Sequence, residues 1–337
     1  MKGSFPYHSQ LPLRWKNHLA TLPETSPLVK QFLPSPDEIN PELQKYALTD
    51  PLFDHKNHVA PQIIHRYKNR VLFTPTASCP ITCRYCFRKN ELNHFKADFF
   101  EPNWFETKKY LLNNSNINEL IFTGGDPLQL SKEKLTFYLE ELSEIPHLTD
   151  MRFHSRVPVI QPEVIHPYFF SLLNSFKKRF RFTLVIHTNH AEEWFFQEQF
   201  DFLKSCQENA STIRTLSQSV LLKNVNDSTQ DLFALFHLLQ KHNVQPYYLH
   251  HPDFVKGAIH FCLTLNEGYK IYQSLRDILP GHYLPHYVVE SLDGSKKILV
   301  AELVNSSIMN TYGPADPFNR KQTSLSKIPE DRTSSVL

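Results

Sequence analysis

SCPITCRYCF, residues 78–87, places Cys79, Cys83 and Cys86 in a C-x3-C-x2-C spacing. The chain has 337 residues and five cysteines, and three of the five fall in this one stretch. An odd number of clustered thiols points to ligation in a reducing compartment rather than to a disulfide framework. The stretch follows directly on RVLFTPT (70–76), the first of six short apolar runs that read as strands. The others are ELIFTGG (119–125), DMRFHSR (150–156), RFTLVIHT (181–188), LSQSVLLK (216–223) and QPYYLHH (245–251). Helix-length segments separate them, near 102–113, 131–144, 163–178, 192–207 and 228–242. Strands alternating with helices imply parallel βα units. Six units predict an α/β partial (βα)6 barrel over 61–262, with an ordinary doubly wound sheet as the alternative.

The flanks differ from this core. Residues 1–60 are proline-dotted, with helical pieces near 13–21 and 36–48, and read as a helical extension. A helix near 266–279 opens a closing segment, 263–312. Within it HYVVESLDGSKKILVAEL (286–303) has two apolar runs around Asp293-Gly294, a hairpin signal. Residues 313–337 are polar and are expected to be disordered. Apolar content of 41% suffices for a large core. A net charge of +2 gives no strong pull toward nucleic acid or a membrane surface. No run of eighteen apolar residues suggests a membrane span, and the N-terminus lacks an apolar leader, so a cytoplasmic location is expected.

In parallel βα units, ligands lie beyond the C-terminal strand ends. The polar residues collect there. Cys79, Cys83 and Cys86 follow strand one, and Gly124-Gly125-Asp126 follow strand two. His154, Ser155 and Arg156 end strand three; His187, Asn189 and His190 end strand four. Gln218 lies in strand five, and His250 and Asp253 follow strand six. Structural zinc takes four ligands and closes its site, whereas a [4Fe–4S] cluster on three thiolates leaves one iron open. No fourth cysteine is near, which favours the cluster, with a zinc-binding interaction module as the alternative. In a chain with only eight glycines, the pair Gly124-Gly125 suggests close backbone approach, or a tight turn capped by Asp126. Cys206 and Cys262 sit in apolar surroundings and read as buried thiols.

C-x3-C-x2-C after a first strand is the signature of the radical S-adenosylmethionine (SAM) superfamily. HRYKNRVLF (65–73), CRYCFRKN (83–90), IFTGGDPL (121–128), RFHSRVPV (152–159), QSVLLKNVND (218–227) and PYYLHHPDFVKGAIHF (246–261) resemble lysine 2,3-aminomutases more narrowly. TDPLFD (49–54) and CRYCF resemble the type that makes (R)-β-lysine for elongation factor P. The resemblance implies a radical SAM partial barrel in which Cys79, Cys83 and Cys86 hold a [4Fe–4S] cluster. It implies SAM contacts at Tyr85, Thr123, Gly124, Gly125, Asp126, Ser155, His187 and Gln218. It places Arg66, Tyr67, Arg70, Tyr247 and His250 around pyridoxal 5′-phosphate (PLP). Arg88 would bind the carboxylate of an amino acid substrate, and Asp253 and Glu290 its distal ammonium. The implied reaction starts from a 5′-deoxyadenosyl radical, which takes hydrogen from C3 of lysine before the amino group migrates from C2 to C3. An electron donor of flavodoxin or ferredoxin type is implied, and relatives are often homo-oligomers. The lysine that carries PLP falls in LPHYVVESLDGSKKILV (284–300). Ungapped counting selects Lys297, one deletion selects Lys296, and a third alignment deletes that lysine altogether. An aminomutase lacking PLP, or acting on another amino acid, therefore stays open.

Overall fold

In a computed structural model, which describes residues 12–94, 100, 102–165, 168–291, 293–306 and 309, the strand–helix alternation forms one sheet of ten strands. The strands run in chain order: β1 (His58–Ala60), β2 (Ile63–Tyr67), β3 (Arg70–Thr76), β4 (Glu119–Gly124), β5 (Asp150–Ser155), β6 (Arg181–His187), β7 (Ile213–Val220), β8 (Gln245–His250), β9 (His286–Glu290) and β10 (Lys297–Leu299). Each neighbour from β3 to β9 pairs in parallel, while β1–β2, β2–β3 and β9–β10 are antiparallel. The six βα strands thus gain a seventh parallel neighbour, β9, which is also the first arm of the hairpin at 286–303. The polar tail 313–337 lies outside the described residues.

The helices are α1 (Leu13–Ala20), α2 (Pro27–Phe32), α3 (Lys89–His94), α4 (Trp104–Asn113), α5 (Lys132–Ser143), α6 (Val157–Ile160), α7 (Tyr168–Phe176), α8 (Gln197–Glu208), α9 (Thr229–Lys241) and α10 (Leu265–Ile278). Polar N-caps start several of them. The side chains of Ser131, Ser228 and Thr264 accept from the third N–H of α5, α9 and α10. The helix expected near 36–48 is only a 3-10 turn, Pro36–Ile39. Pro41 explains the stop, because it supplies no N–H and pushes Asn40 out of the helical region. α2 was not foreseen at all.

An aromatic ladder fixes the register of the first parallel strands. Phe73, Phe122 and Phe153 pair across β3, β4 and β5, and all three are fully buried. Their rings approach at 5.3 Å edge to face and at 4.6 Å stacked. Burying each such ring contributes about 1.5–3 kcal/mol, and a one-residue slip would turn all three to the opposite face. The intervening residues, Arg152 and His154 on β5 among them, face the concave side. The fifth strand ends three residues earlier than its apolar run suggests. Leu221 and Leu222 are fully buried in the loop beyond, where Asn226 Oδ1 accepts from the N–H of Leu222 at 2.7 Å.

The strand order is linear, and side chains draw its two ends together. Arg66 of β2 donates to Glu290 of β9, and the N–H of Lys297 in β10 donates to the Tyr67 hydroxyl at 3.3 Å. The turn at Gly294 packs on the 52–53 segment, where a Cβ would stand 2.5 Å from the Phe53 ring. The curled sheet therefore encloses a concave lumen.

Candidate active site

The thiols come first in chain order. β3 delivers the chain into the 78–88 loop, and that loop is bonded to the turn after β4. The N–H of Gly125 donates to Thr76 O at 2.8 Å, and that of Asp126 to Ser78 O at 2.7 Å. A Cβ on Gly125 would stand 2.3 Å from Ser78 O, so a side chain there would push the cysteine loop away. Gly124 takes φ +103°. The close approach that needs glycine is thus made, at least in part, by the chain's own loop. Cys79, Cys83 and Cys86 form no disulfide and lie within electrostatic reach of one another. Burial pushes all three thiols up, Cys86 to about 11, so a bound cation is needed to hold them as thiolates. Among the described residues no three His, Cys, Asp or Glu side chains converge as a single ion requires. Grouped thiolates with no fourth cysteine nearby in sequence suit a cluster with one open iron.

Asp126 and Ser155, expected at SAM, are bound to each other. The Asp126 carboxylate accepts from Ser155 Oγ at 2.7 Å and from the N–H groups of Leu128, Arg156 and Val157 at 3.1, 2.7 and 3.1 Å. It ties the loop after β4 to the loop after β5. Burial still raises its pKa despite these four donors. The Tyr85 hydroxyl accepts from Arg156 Nη1 and shares a 2.9 Å hydrogen bond with Nε2 of His187. Arg156 continues to Glu193 Oε1 at 2.8 Å and Gln31 Oε1 at 3.3 Å. Gln218 lies in register between His187 and Tyr248.

Further into the lumen the residues expected at substrate and PLP meet. Arg88 donates Nε to Asp54 at 2.7 Å and Nη1 to Thr123 Oγ1 at 3.2 Å, while its buried Nη2 has no partner. That unspent edge suits a carboxylate. Lys297 Nζ and Arg66 Nη2 both donate to Glu290, and the Nε of Arg66 is buried without a partner. Burial alone would raise the Glu290 carboxyl, but Lys297 and Arg66 outweigh it and hold it low. Lys296 is exposed, its N–H bonded to Ser291 Oγ at 3.0 Å. Tyr67 lies under the Arg70 guanidinium at 4.0 Å, and the Tyr247 ring lies tilted against Tyr248 at 3.8 Å beside a register shift of β8. Arg70 opens β3, so it sits at the far end of that strand from the cysteines. His250 is pushed down to about 3 by burial and by Lys297. Asp253 is pushed up to about 7, by burial and then by Glu290.

Relatives fit this arrangement. A 4Fe-4S single cluster domain model matches residues 69–149. The chain is 38% identical over 258 residues to the L-lysine 2,3-aminomutase of Haemophilus influenzae, covering 75% of this chain and 73% of that protein. This chain belongs to the L-lysine 2,3-aminomutase family. It is also 35% identical to the Escherichia coli L-lysine 2,3-aminomutase, covering 77% and 73% of the two chains. The Clostridium subterminale protein of the same name is 32% identical, with 80% and 63% covered. The family's enzymes are isomerases whose cofactors are a [4Fe–4S] cluster, SAM and PLP. Membership sets aside the zinc-binding module. The residues present fit these groups: grouped thiols for the cluster, an inward lysine and unspent arginine N–H groups for PLP and a carboxylate.

One site residue escaped the sequence, Asp54, which orients Arg88. His154, expected only at the strand ends, brings a buried Nε2 without a partner within reach of Lys297, His250 and Arg88. TDPLFD contained Asp54, but nothing local linked it to an arginine 34 residues away. Glu290 offers a direct check of the geometry. Glu290→Gln leaves Arg66 and Lys297 without a counter-charge and is expected to lower unfolding free energy by about 3–5 kcal/mol in urea titrations, while Glu290→Asp keeps most of it.

Proposed function

We propose that this chain moves the α-amino group of L-lysine from C2 to C3 to form β-lysine, and that it works in the cytoplasm. The observation that carries this reading is the inward Lys297 amine, with Asp253 within its electrostatic reach and with the free edge of Arg88 in the same lumen. When bound, the cluster and SAM supply a carbon-centred radical, and PLP supplies the conjugated system across which nitrogen moves. The chain's own residues do the rest. Cys79, Cys83 and Cys86 hold the cluster, and Lys297 holds PLP. Arg88 Nη2 receives the substrate carboxylate, with Asp54 and Thr123 fixing its plane. Asp253 receives the distal ammonium. Glu290 holds the Lys297 amine in place until PLP arrives. His154 and His250, held neutral by burial and nearby cations, line the space without repelling a cationic substrate. The wording of TDPLFD and CRYCF supports elongation factor P as the destination of the product, and an iron–sulfur enzyme of this family would draw its electron from a flavodoxin or ferredoxin.

Glu290 already neutralises two cations, which leaves Asp253 to meet the distal group alone. That favours a second reading within the same chemistry: an amino acid other than lysine as substrate. The test is an anaerobic assay of reconstituted protein with SAM, reductant, PLP and L-lysine, read by mass spectrometry of derivatised products. β-Lysine that disappears when PLP is stripped supports the first reading; 5′-deoxyadenosine without β-lysine contradicts it. Lys297→Ala is expected to abolish product, and Lys296→Ala to leave most of it. Asp253 must be ionised to hold an ammonium, and its pKa lies at about 7. KM for lysine is therefore expected to fall about tenfold per pH unit below 7 as pH rises, and to level off above it, with Asp253→Asn removing the dependence.

A further inference from the structure

The cysteine loop carries two cations that the chemistry above does not use. Arg84 lies between Cys83 and Cys86, and Lys89 follows Cys86 by three residues. Both side chains are fully buried, and both end on one carboxylate, Glu38, from the 3-10 turn Pro36–Ile39. Glu38 Oε1 accepts from Arg84 Nε at 2.8 Å and from the N–H of Ser35 at 3.2 Å. Its Oε2 accepts from Arg84 Nη2 and from Lys89 Nζ, the latter at 3.2 Å. Lys89 Nζ also donates to the carbonyls of Arg84 and Gly257, both at 2.8 Å. The N–H of Arg84 donates to Gln31 O at 2.9 Å, so α2 grips the same loop.

Apolar side chains would anchor a loop with a smaller desolvation penalty than three buried ions. What ions add is charge at a fixed place. Glu38 gathers both cations behind the cysteine loop, and Lys89 lies within electrostatic reach of Cys86. A cluster becomes more negative when it is reduced, and its potential follows the charge and hydrogen bonding around it. We propose that Glu38 is a positioning residue for the cluster: it fixes the Cys83–Cys86 turn from the N-terminal segment through Arg84 and Lys89, and moderates the positive charge that Lys89 presents to the metal site. This rests on the reading of Cys79, Cys83 and Cys86 as cluster ligands, and not on lysine as substrate.

The experiment compares full-length wild type, Glu38→Gln and Lys89→Met after anaerobic reconstitution with iron and sulfide. Iron content, the rate of iron loss to a chelator and the midpoint potential from EPR-monitored titration are read. Glu38→Gln is expected to lose iron several-fold faster than wild type. Lys89→Met keeps the Arg84–Glu38 pair but loses one positive charge, so its potential is expected to move negative. Leu139→Ala, a core change on α5 that does not touch the loop, controls for general destabilisation and is expected to lose iron at the wild-type rate. Wild-type behaviour in both loop variants would overturn the proposal, as would equal iron loss in Leu139→Ala and Glu38→Gln. If Glu38→Gln does not fold, an unchanged potential in Lys89→Met overturns it alone. A wild type that binds no iron overturns the ligand assignment and this proposal with it.

Discussion

A carboxylate held between two cations, Glu290 with Arg66 and Lys297, is the contact on which the rest of the structure depends. Its partners come from opposite ends of the sheet, 224 residues apart in the case of Arg66. Backbone pairing runs only from β1 to β10 in order. Side chains bring the last strands back to the second, and that return encloses the lumen. The arrangement is buried, so both cations need the carboxylate to offset their desolvation. It also faces Lys297 inward: Glu290 and Lys297 are directly paired in the antiparallel register, which puts both on one side of the hairpin.

A second set of struts holds the cysteine loop. Asp126 joins the loops after β4 and β5, Gly125 lets the cysteine loop approach the loop after β4, and Glu38 gathers Arg84 and Lys89 from outside. His187, His250 and His154 are buried, and their low basicity adds no further positive charge to the interior. Neutral polar groups suit a space in which a reactive intermediate must be shielded from water.

Much of this could be read from the amino acids in order. The βα alternation placed five of the six strands β3–β8 to within a residue or so, and the strand ends marked the rim. What local pattern could not reveal was contact between distant segments. Asp54 and Glu38 lie in a proline-dotted extension whose irregular backbone has no period to read, yet both end on the cysteine loop. β2 was hidden because HRYKNR has the composition of a basic turn. Leu221 and Leu222 extended a strand on paper, although in the fold they fill a loop. The choice between Lys296 and Lys297 depended on register, which alignment left open and which the pairing of Lys297 with Glu290 now orients.

The account turns on Lys297 pointing into the lumen that also holds the cysteine loop. The most direct measurement is to load the protein with PLP, reduce it with borohydride and map the modified lysine by peptide mass spectrometry. The label is expected on Lys297. A label on Lys296 or any other lysine, or none, would contradict the account.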